Sequence, residues 1–206
     1  DVYDPNTERF YYVSDYYNTS TKSFEDDTAV LIYYNNVSAG NPNNKKNYAY
    51  GSSGENFYGP RTAITELPTT SQWNNVSLKS TTRTFLNEWG GNTTTGGTIL
   101  SNFSYSGYAA RLLTIEEVRQ GTGIYDIPDW DAGELDNSTY LLENTNFSSN
   151  SNSTYEWWLE NPTSSDSTDA WRVDGRDRCV SDASFYGTGY TGVRPAIEVS
   201  KNNISY

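Results

Sequence analysis

The chain has 206 residues, a formal charge of −12 and no basic cluster, which argues against nucleic acids and anionic membrane surfaces as partners. It contains no His and one Cys, Cys179, so His-dependent nucleophile systems, the usual zinc sites and an internal disulfide are excluded. We therefore expect no cofactor and no metal, with stability supplied by packing of its eighteen Tyr and six Trp.

Two strands are predicted near the start of the chain. Phe10–Val13 and Ala29–Tyr34 are aromatic and β-branched, and a polar loop over Thr19–Asp27 joins them. The second run is also the longest apolar run, and it is far too short to cross a bilayer. Asn35–Glu55 follows as a long polar loop with Asn-Pro and Gly-Ser punctuation.

Two short helices are predicted in the next part of the chain. Pro60 suits the first position of a helix over Arg61–Leu67, because a first-turn proline lacks only an N–H that would have no helical partner. Thr81–Trp89 is a second helical candidate, and Gly90-Gly91 would end it.

The clearest helix start lies at Thr114-Ile115-Glu116-Glu117. This is a capping box, in which the Thr caps the helix and the last Glu reaches back to it. Leu113 and Val118 form the matching hydrophobic staple, and Gly121 and Gly123 end the helix. The two carboxylates of the first turn are interpreted as favourable to the helix dipole rather than as an acid–base pair.

An acidic stretch and a low-complexity stretch follow. The acidic spacing does not match the EF-hand loop, so a solvated loop is preferred and a non-standard calcium site is left open. Asn144–Thr154 is rich in Asn and Ser and is interpreted as a flexible loop within the domain. The acidic residues of the first stretch, within 126–136, are Asp126, Asp129, Asp131, Glu134 and Asp136.

The last fifty residues alternate between two kinds of sequence. Trp157–Pro162, Ala170–Gly175 and Gly192–Ile197 read as aromatic or Arg-Pro strands. They bracket Arg176–Thr191, which is rich in Gly, Ser, Tyr and Asp, the residue types that recur in binding loops. A stiff frame around a permissive insert predicts recognition rather than catalysis, and Cys179 within it has no accompanying base.

The predicted ligand-binding residues lie in this insert and in the strand before it. Arg and Tyr are the natural hot-spot types among them. Trp171 is interpreted as either core or ligand floor, and Arg194 as a residue that holds loops by structural hydrogen bonds. The alternative for the whole set is a surface hairpin without a ligand. The predicted set is Trp171, Asp174, Arg176, Asp177, Arg178, Ser181, Asp182, Ser184, Phe185, Tyr186 and Tyr190.

Four motifs in order resemble a known family. Leu67–Trp73, Tyr108–Val118, Trp157–Pro162 and Gly192–Ile197 resemble bacterial surface and prepilin-type proteins with a C-type-lectin-like domain, related to the formylglycine-generating-enzyme-like fold. The resemblance runs from about residue 8 to the C-terminus. It implies an α+β fold with two helices, a small twisted antiparallel sheet and long loops that carry the ligand site.

The same fold is found in the variable proteins of diversity-generating retroelements. In that family adenine mutagenesis rewrites a C-terminal ligand surface, which the resemblance places at about residues 171–191. The mutated codons of that family never encode Lys, Glu, Gln, Met or Trp, and Arg176–Thr191 contains none of these five. The calcium motif and disulfides of classical lectins are absent, so sugar binding through calcium is not expected.

We predict one domain over residues 1–206, since no repeat or composition shift divides the chain. It is expected to be a non-enzymatic recognition domain at the cell surface or outside the cell, binding a protein or glycan on another cell. Asp1 is interpreted as a processed or engineered start, with a pilin-type helix removed and assembly into a fibre open. Two alternatives remain, a carboxylate-based glycoside hydrolase and a purely structural module of a fibre.

Overall fold

The computed structural model describes residues 10–40, 48–51, 56–83, 103–122, 133–134, 156–163, 167–174, 179–184, 186 and 191–204. Within these ranges the chain forms ten strands, one α-helix and three short 3-10 helices. The strands are β1 (Phe10–Asn18), β2 (Ser23–Tyr33), β3 (Thr82–Arg83), β4 (Phe103–Ser104), β5 (Gly133–Glu134), β6 (Glu156–Pro162), β7 (Asp169–Asp174), β8 (Cys179–Ser184), β9 (Thr191–Gly192) and β10 (Ala196–Ser200). The helix α1 is Ile115–Thr122, and the 3-10 helices are Asn56–Tyr58, Ala63–Glu66 and Lys201–Asn203.

The strands form three sheets. The first has the order β1-β2-β10 and is antiparallel throughout, so the C-terminal strand pairs with the N-terminal hairpin. The largest has the order β5-β8-β7-β6-β9, in which only β6 and β9 run parallel. The third is the short pair β3-β4.

The predicted α+β class with two helices is wrong for this chain. The described residues are mostly β, and they contain a single α-helix. The predicted helix over Arg61–Leu67 is only the 3-10 turn Ala63–Glu66, whose Thr62 makes no side-chain cap. A segment this short forms too few hydrogen bonds to offset the free-energy cost of nucleating an α-helix. The tighter 3-10 turn is stabilised instead by burial of Ala63 and Ile64.

The second predicted helix fails at its start. Thr82–Arg83 pairs with Phe103–Ser104 as a strand, and residues 84–89 lie outside the described residues. The side chain of Arg83 is fully buried and bonded to Glu160, so a tertiary ion pair decides this backbone rather than local propensity.

The N-terminal hairpin is longer than predicted. Most of the polar loop expected over Thr19–Asp27 belongs to β2, and only residues 19–22 turn. Asn18 closes this turn, because its side-chain Oδ1 accepts hydrogen bonds from the backbone N–H groups of Ser20 and Thr21. The rings of Tyr17 and Phe24 then pack across the two strands, with their centroids 5.1 Å apart. This contact extends the strand pairing into polar sequence.

The capping box at Thr114 is confirmed. Thr114 Oγ1 accepts from the backbone N–H of Glu117 at 3.1 Å, and a carboxylate oxygen of Glu117 accepts from the Thr114 N–H at 3.0 Å. Leu113 and Val118 lie in the same apolar cluster, as the predicted staple requires. The helix ends at Thr122, so Gly121 is its penultimate residue.

Two apolar clusters fill the space on either side of the large sheet. Trp157, Trp171 and Val173 belong to the first, which also contains Leu113 and Val118. Trp158 belongs to the second with Tyr33, Tyr50 and Val193. Trp157 and Trp158 point to opposite faces, as adjacent strand residues must, and both are fully buried, so both belong to the core.

Candidate functional site

The predicted binding residues that the structure describes lie on two neighbouring strands. Trp171 and Asp174 are in β7, and Ser181, Asp182 and Ser184 are in β8. In the register, Trp171 lies opposite Asp182. Tyr186 follows β8 and is about half exposed, at 49%. Arg176, Asp177, Arg178, Phe185 and Tyr190 lie outside the described residues, as does most of the acidic stretch 126–136.

The structure separates this set by burial and by face. Trp171 and Asp174 are each 1% exposed, so neither side chain reaches the surface. Side chains alternate across a strand, so Ser181 lies on one face of the sheet while Asp182 and Ser184 lie on the other. A continuous stretch of sequence therefore does not form one continuous surface here. Of the described members, Ser184 and Tyr186 are exposed.

An ion cluster that sequence analysis missed lies next to these strands. The guanidinium of Arg172 donates to Glu156, to Asp174 Oδ2 at 3.1 Å and to Ser181 Oγ at 3.3 Å. Thr191 Oγ1 in turn donates to the Glu156 carboxylate at 3.3 Å. We name Glu156, Arg172, Asp174, Ser181 and Thr191 the Arg172 cluster. The sequence indicates this cluster only through Arg172, which lies between Trp171 and Val173. Side chains alternate along a strand, so Arg172 lies on the face opposite these two apolar side chains.

The Arg172 cluster holds both ends of the predicted insert. Asp174 is the last residue of β7, and Thr191 is the first residue of β9. Segment 175–190 lies between them in the chain. Both residues are buried; Asp174 accepts from Arg172, and Thr191 donates to Glu156, which Arg172 also contacts. Strand β8, which lies within this segment, is itself part of the large sheet, and its Ser181 also bonds Arg172.

Arg194 has the structural role that the sequence predicted. Its side chain is buried, its Nε donates to Asn36 Oδ1 at 2.8 Å, and its guanidinium lies 4.0 Å from the ring centroid of Trp157. Asn36 also donates to the backbone carbonyl of Glu156 at 2.9 Å. Gly192 permits this approach, because a Cβ there would overlap the Asn36 amide.

A second cluster of charged side chains lies in the interior. We name it the buried ion cluster, and its members are Arg83, Arg111, Glu117, Glu160 and Glu198. Arg111 bonds Glu117 and Glu198, each at 2.6 Å, and Arg83 bonds Glu160 at 3.0 Å. All five side chains are at most 2% exposed. The carboxylates are therefore committed to arginines in the interior, which is not the arrangement of two carboxyl groups facing a substrate groove.

The pKa values of two carboxyl groups in this cluster are shifted in opposite directions, although both groups are buried. Burial raises the pKa of Glu160 to about 7, although Arg83 and Arg111 oppose the change. Burial also disfavours ionisation of Glu117, yet the adjacent Arg111 holds the pKa of that carboxyl below its ordinary range. The cluster has three carboxyl groups for two guanidinium groups, and Glu160 is the one whose second oxygen accepts no hydrogen bond.

Neither metal ligands nor a membrane span is found in the described ranges. They bring together no group of three or more His, Cys, Asp or Glu side chains that could hold a metal ion. No helix in the same ranges is both long and apolar enough to cross a membrane.

Comparison with known proteins yields no relative. The chain matches no protein-family model, no curated protein and no solved structure. The resemblance to variable proteins thus stays a prediction.

Proposed function

We propose that this chain is a non-enzymatic recognition domain displayed at a cell or phage surface, and that segment 175–190 forms its ligand surface. The observation that carries the proposal is the anchoring of both ends of this segment in the Arg172 cluster. The frame beneath is buried along the whole of β6 and at β9, while Ser184 and Tyr186 within the segment are exposed. The ligand is a protein or glycan on another cell.

The small stability cost of exposed substitutions supports a ligand surface that is carried by a buried frame. Exposed substitutions away from caps and ion pairs typically change stability by no more than about 0.5 kcal/mol. The exposed positions of segment 175–190 can accept such changes, because the free energy of folding comes from the buried residues, which include Val180 of β8. Tyr, Ser, Asp and Arg then provide contact area and hydrogen bonds for a ligand.

The ligand surface is tested by changing Arg178, Tyr186 and Tyr190 to Ala together. We expect binding to arrays of host proteins and glycans to be lost while the unfolding midpoint is preserved, because these residue types carry most interface energy. Tyr12→Ala is the matched control, since Tyr12 lies in β1 and is exposed to a similar degree, 45% against 49% for Tyr186. A triple variant with the binding profile of the control would remove the site.

We further propose that a retroelement diversifies this surface. The gene should then lie near a reverse transcriptase and a near-copy of its own 3′ end. Sibling sequences should differ at exposed positions between residues 172 and 190, at template adenines, while Trp157, Trp158, Gly192, Arg194 and Pro195 stay fixed. The first four of these residues are fully or almost fully buried in the frame.

Sequencing of the locus and of sibling genes measures this directly. Differences spread evenly along the chain, or a locus without a reverse transcriptase, would leave an undiversified surface domain. The binding test above is independent of that outcome, because a fixed surface can also recognise a ligand.

A further inference from the structure

A pocket of about 480 Å³ lies between loop 75–79, the middle of β2 and the C-terminal end of β10. Its lining includes Asn75, Val76 and Ser77 from the loop, and Glu198, Ser200 and Asn203 from β10 and the turn after it. We name this the loop-75 pocket. Its volume falls within the range of small-molecule sites, about 300–1,000 Å³.

The charged groups at the pocket are fixed by the protein itself. One Glu198 oxygen accepts from Arg111 Nε at 2.6 Å, and the other accepts from the backbone N–H of Lys79. The Lys79 ammonium lies 2.6 Å from Glu25 and 2.7 Å from Asp27. These contacts hold loop 75–79 against β2 and β10, so the pocket has a rigid base.

Unlike the charged groups, the neutral polar side chains at the pocket are not fixed by contacts within the described part of the chain. The side chains of Asn75, Ser77, Ser200 and Asn203 make no hydrogen bond with the other described residues. Two amides and two hydroxyls, all on exposed residues, thus line the pocket as both donors and acceptors. Val76 and Val199, each half-buried, add small apolar surfaces beside them.

This lining discriminates between classes of ligand. An anion would meet Asp27 and Glu198, and the one lining cation, Lys79, is already paired with carboxylates. A metal ion would find those carboxylates committed to Lys79 and Arg111. An apolar ligand would leave the amides without partners, which is costly. A neutral ligand rich in hydroxyl groups, with C–H faces for the valines, satisfies every part of the lining.

We propose that the loop-75 pocket binds a neutral saccharide, one or two sugar units in size. The proposal does not rest on the ligand surface at segment 175–190. The amide side chains of Asn75 and Asn203 and the hydroxyls of Ser77 and Ser200 hold the sugar hydroxyls.

The test is a titration followed by two-dimensional amide NMR. The chain is produced in a host without N-glycosylation, because Asn75-Val76-Ser77 and Asn203-Ile204-Ser205 are both acceptor sequences. The probes are glucose, galactose, mannose, N-acetylglucosamine, maltose and cellobiose. We expect at least one to shift the amide signals of Ser77, Lys79 and Ser200 with a Kd of about 1–10 mM, a range common to small sites.

The variant N75A/N203A should raise that Kd by about tenfold or more, because it removes two amides that bond the sugar. The control is N74A/N202A, whose asparagines are the exposed neighbours in the chain and do not line the pocket. It should keep the wild-type Kd within about twofold. Absence of shifts with all six sugars, or equal Kd values for the two double variants, would overturn the proposal.

Discussion

Glu160 shows how one residue sets a property of the whole interior. Its carboxyl group is fully buried, bonded to Arg83 through one oxygen and 4.0 Å from Arg111 through the other. Glu117 and Glu198 already neutralise Arg111. Ionised Glu160 therefore gives the buried ion cluster an excess negative charge, which is costly where water cannot screen it.

The pH dependence of folding follows from this charge. The pKa of Glu160 rises from 4.5 in the unfolded chain to about 7 in the folded one, so its contribution to stability is fully present below about pH 4.5. The contribution is lost as the pH rises through about 7. One pKa unit corresponds to about 1.4 kcal/mol, so the loss is roughly 3 kcal/mol.

The variant Glu160→Gln should lack this dependence, because it keeps the acceptor for Arg83 without a titrating proton. Urea unfolding from about pH 4 to about pH 8 measures the effect. Wild-type stability should fall by roughly 3 kcal/mol relative to the variant across this interval, while other groups cancel in the difference. A difference that is flat with pH would contradict the assignment.

Among the elements, α1 packs closely against the edge of β1. The edge of β1 is covered by the helix, since the N–H groups of Asp15 and Tyr17 donate to the side chains of Gln120 and Glu117. Covering an edge in this way blocks pairing with other chains. Gly121 brings the helix end close, because a Cβ there would lie 2.5 Å from the Val13 carbonyl oxygen.

Gly121→Ala should therefore destabilise the protein by about 1–3 kcal/mol, through overpacking against backbone that cannot move aside. In an unobstructed helix interior the same change stabilises by about 1 kcal/mol, so the sign is diagnostic. The free energy of unfolding in urea measures it. Gly107→Ala is the comparison, since no atom lies within 4 Å of its Cβ position and only its positive φ of 88° opposes the change. An increase in stability for Gly121→Ala would refute the close approach.

For the molecule as a whole, the Arg172 cluster connects four of the five strands of the large sheet. Glu156 lies in β6, Ser181 in β8 and Thr191 in β9, and all reach Arg172 of β7 directly or through Glu156. The Arg172 side chain is only 16% exposed, and its two carboxylate partners are at most 7% exposed. Such pairs are costly to break, because the carboxylates that remain are buried without compensation.

Arg172→Ala should lower the free energy of unfolding by about 3–5 kcal/mol, as expected for removal of one partner from a buried ion pair. Chemical denaturation gives this value. The control Arg61→Ala removes an exposed guanidinium that lies 4.8 Å from the ring centroid of Tyr58, and it should cost about 0.5–1 kcal/mol. If the two losses were equal, the cluster would not be a stabilising link.

Local sequence determined the features whose energy is local. The capping box at Thr114 needs only residues three apart, and the opposite faces of Trp157 and Trp158 follow from strand geometry alone. The absence of His and the single Cys likewise exclude whole classes of chemistry without any structure.

Tertiary structure decided what depends on distant partners. Arg83 lies in a strand and not in the predicted helix, because Glu160, 77 positions along the chain, holds its side chain. The polar start of β2 is a strand because Lys79 pairs with its carboxylates and Tyr17 stacks on Phe24. Segment 175–190 could be recognised by its composition, but the cluster that joins its ends could not. Ion pairs between distant residues leave no periodicity in the sequence, so only the folded chain shows them.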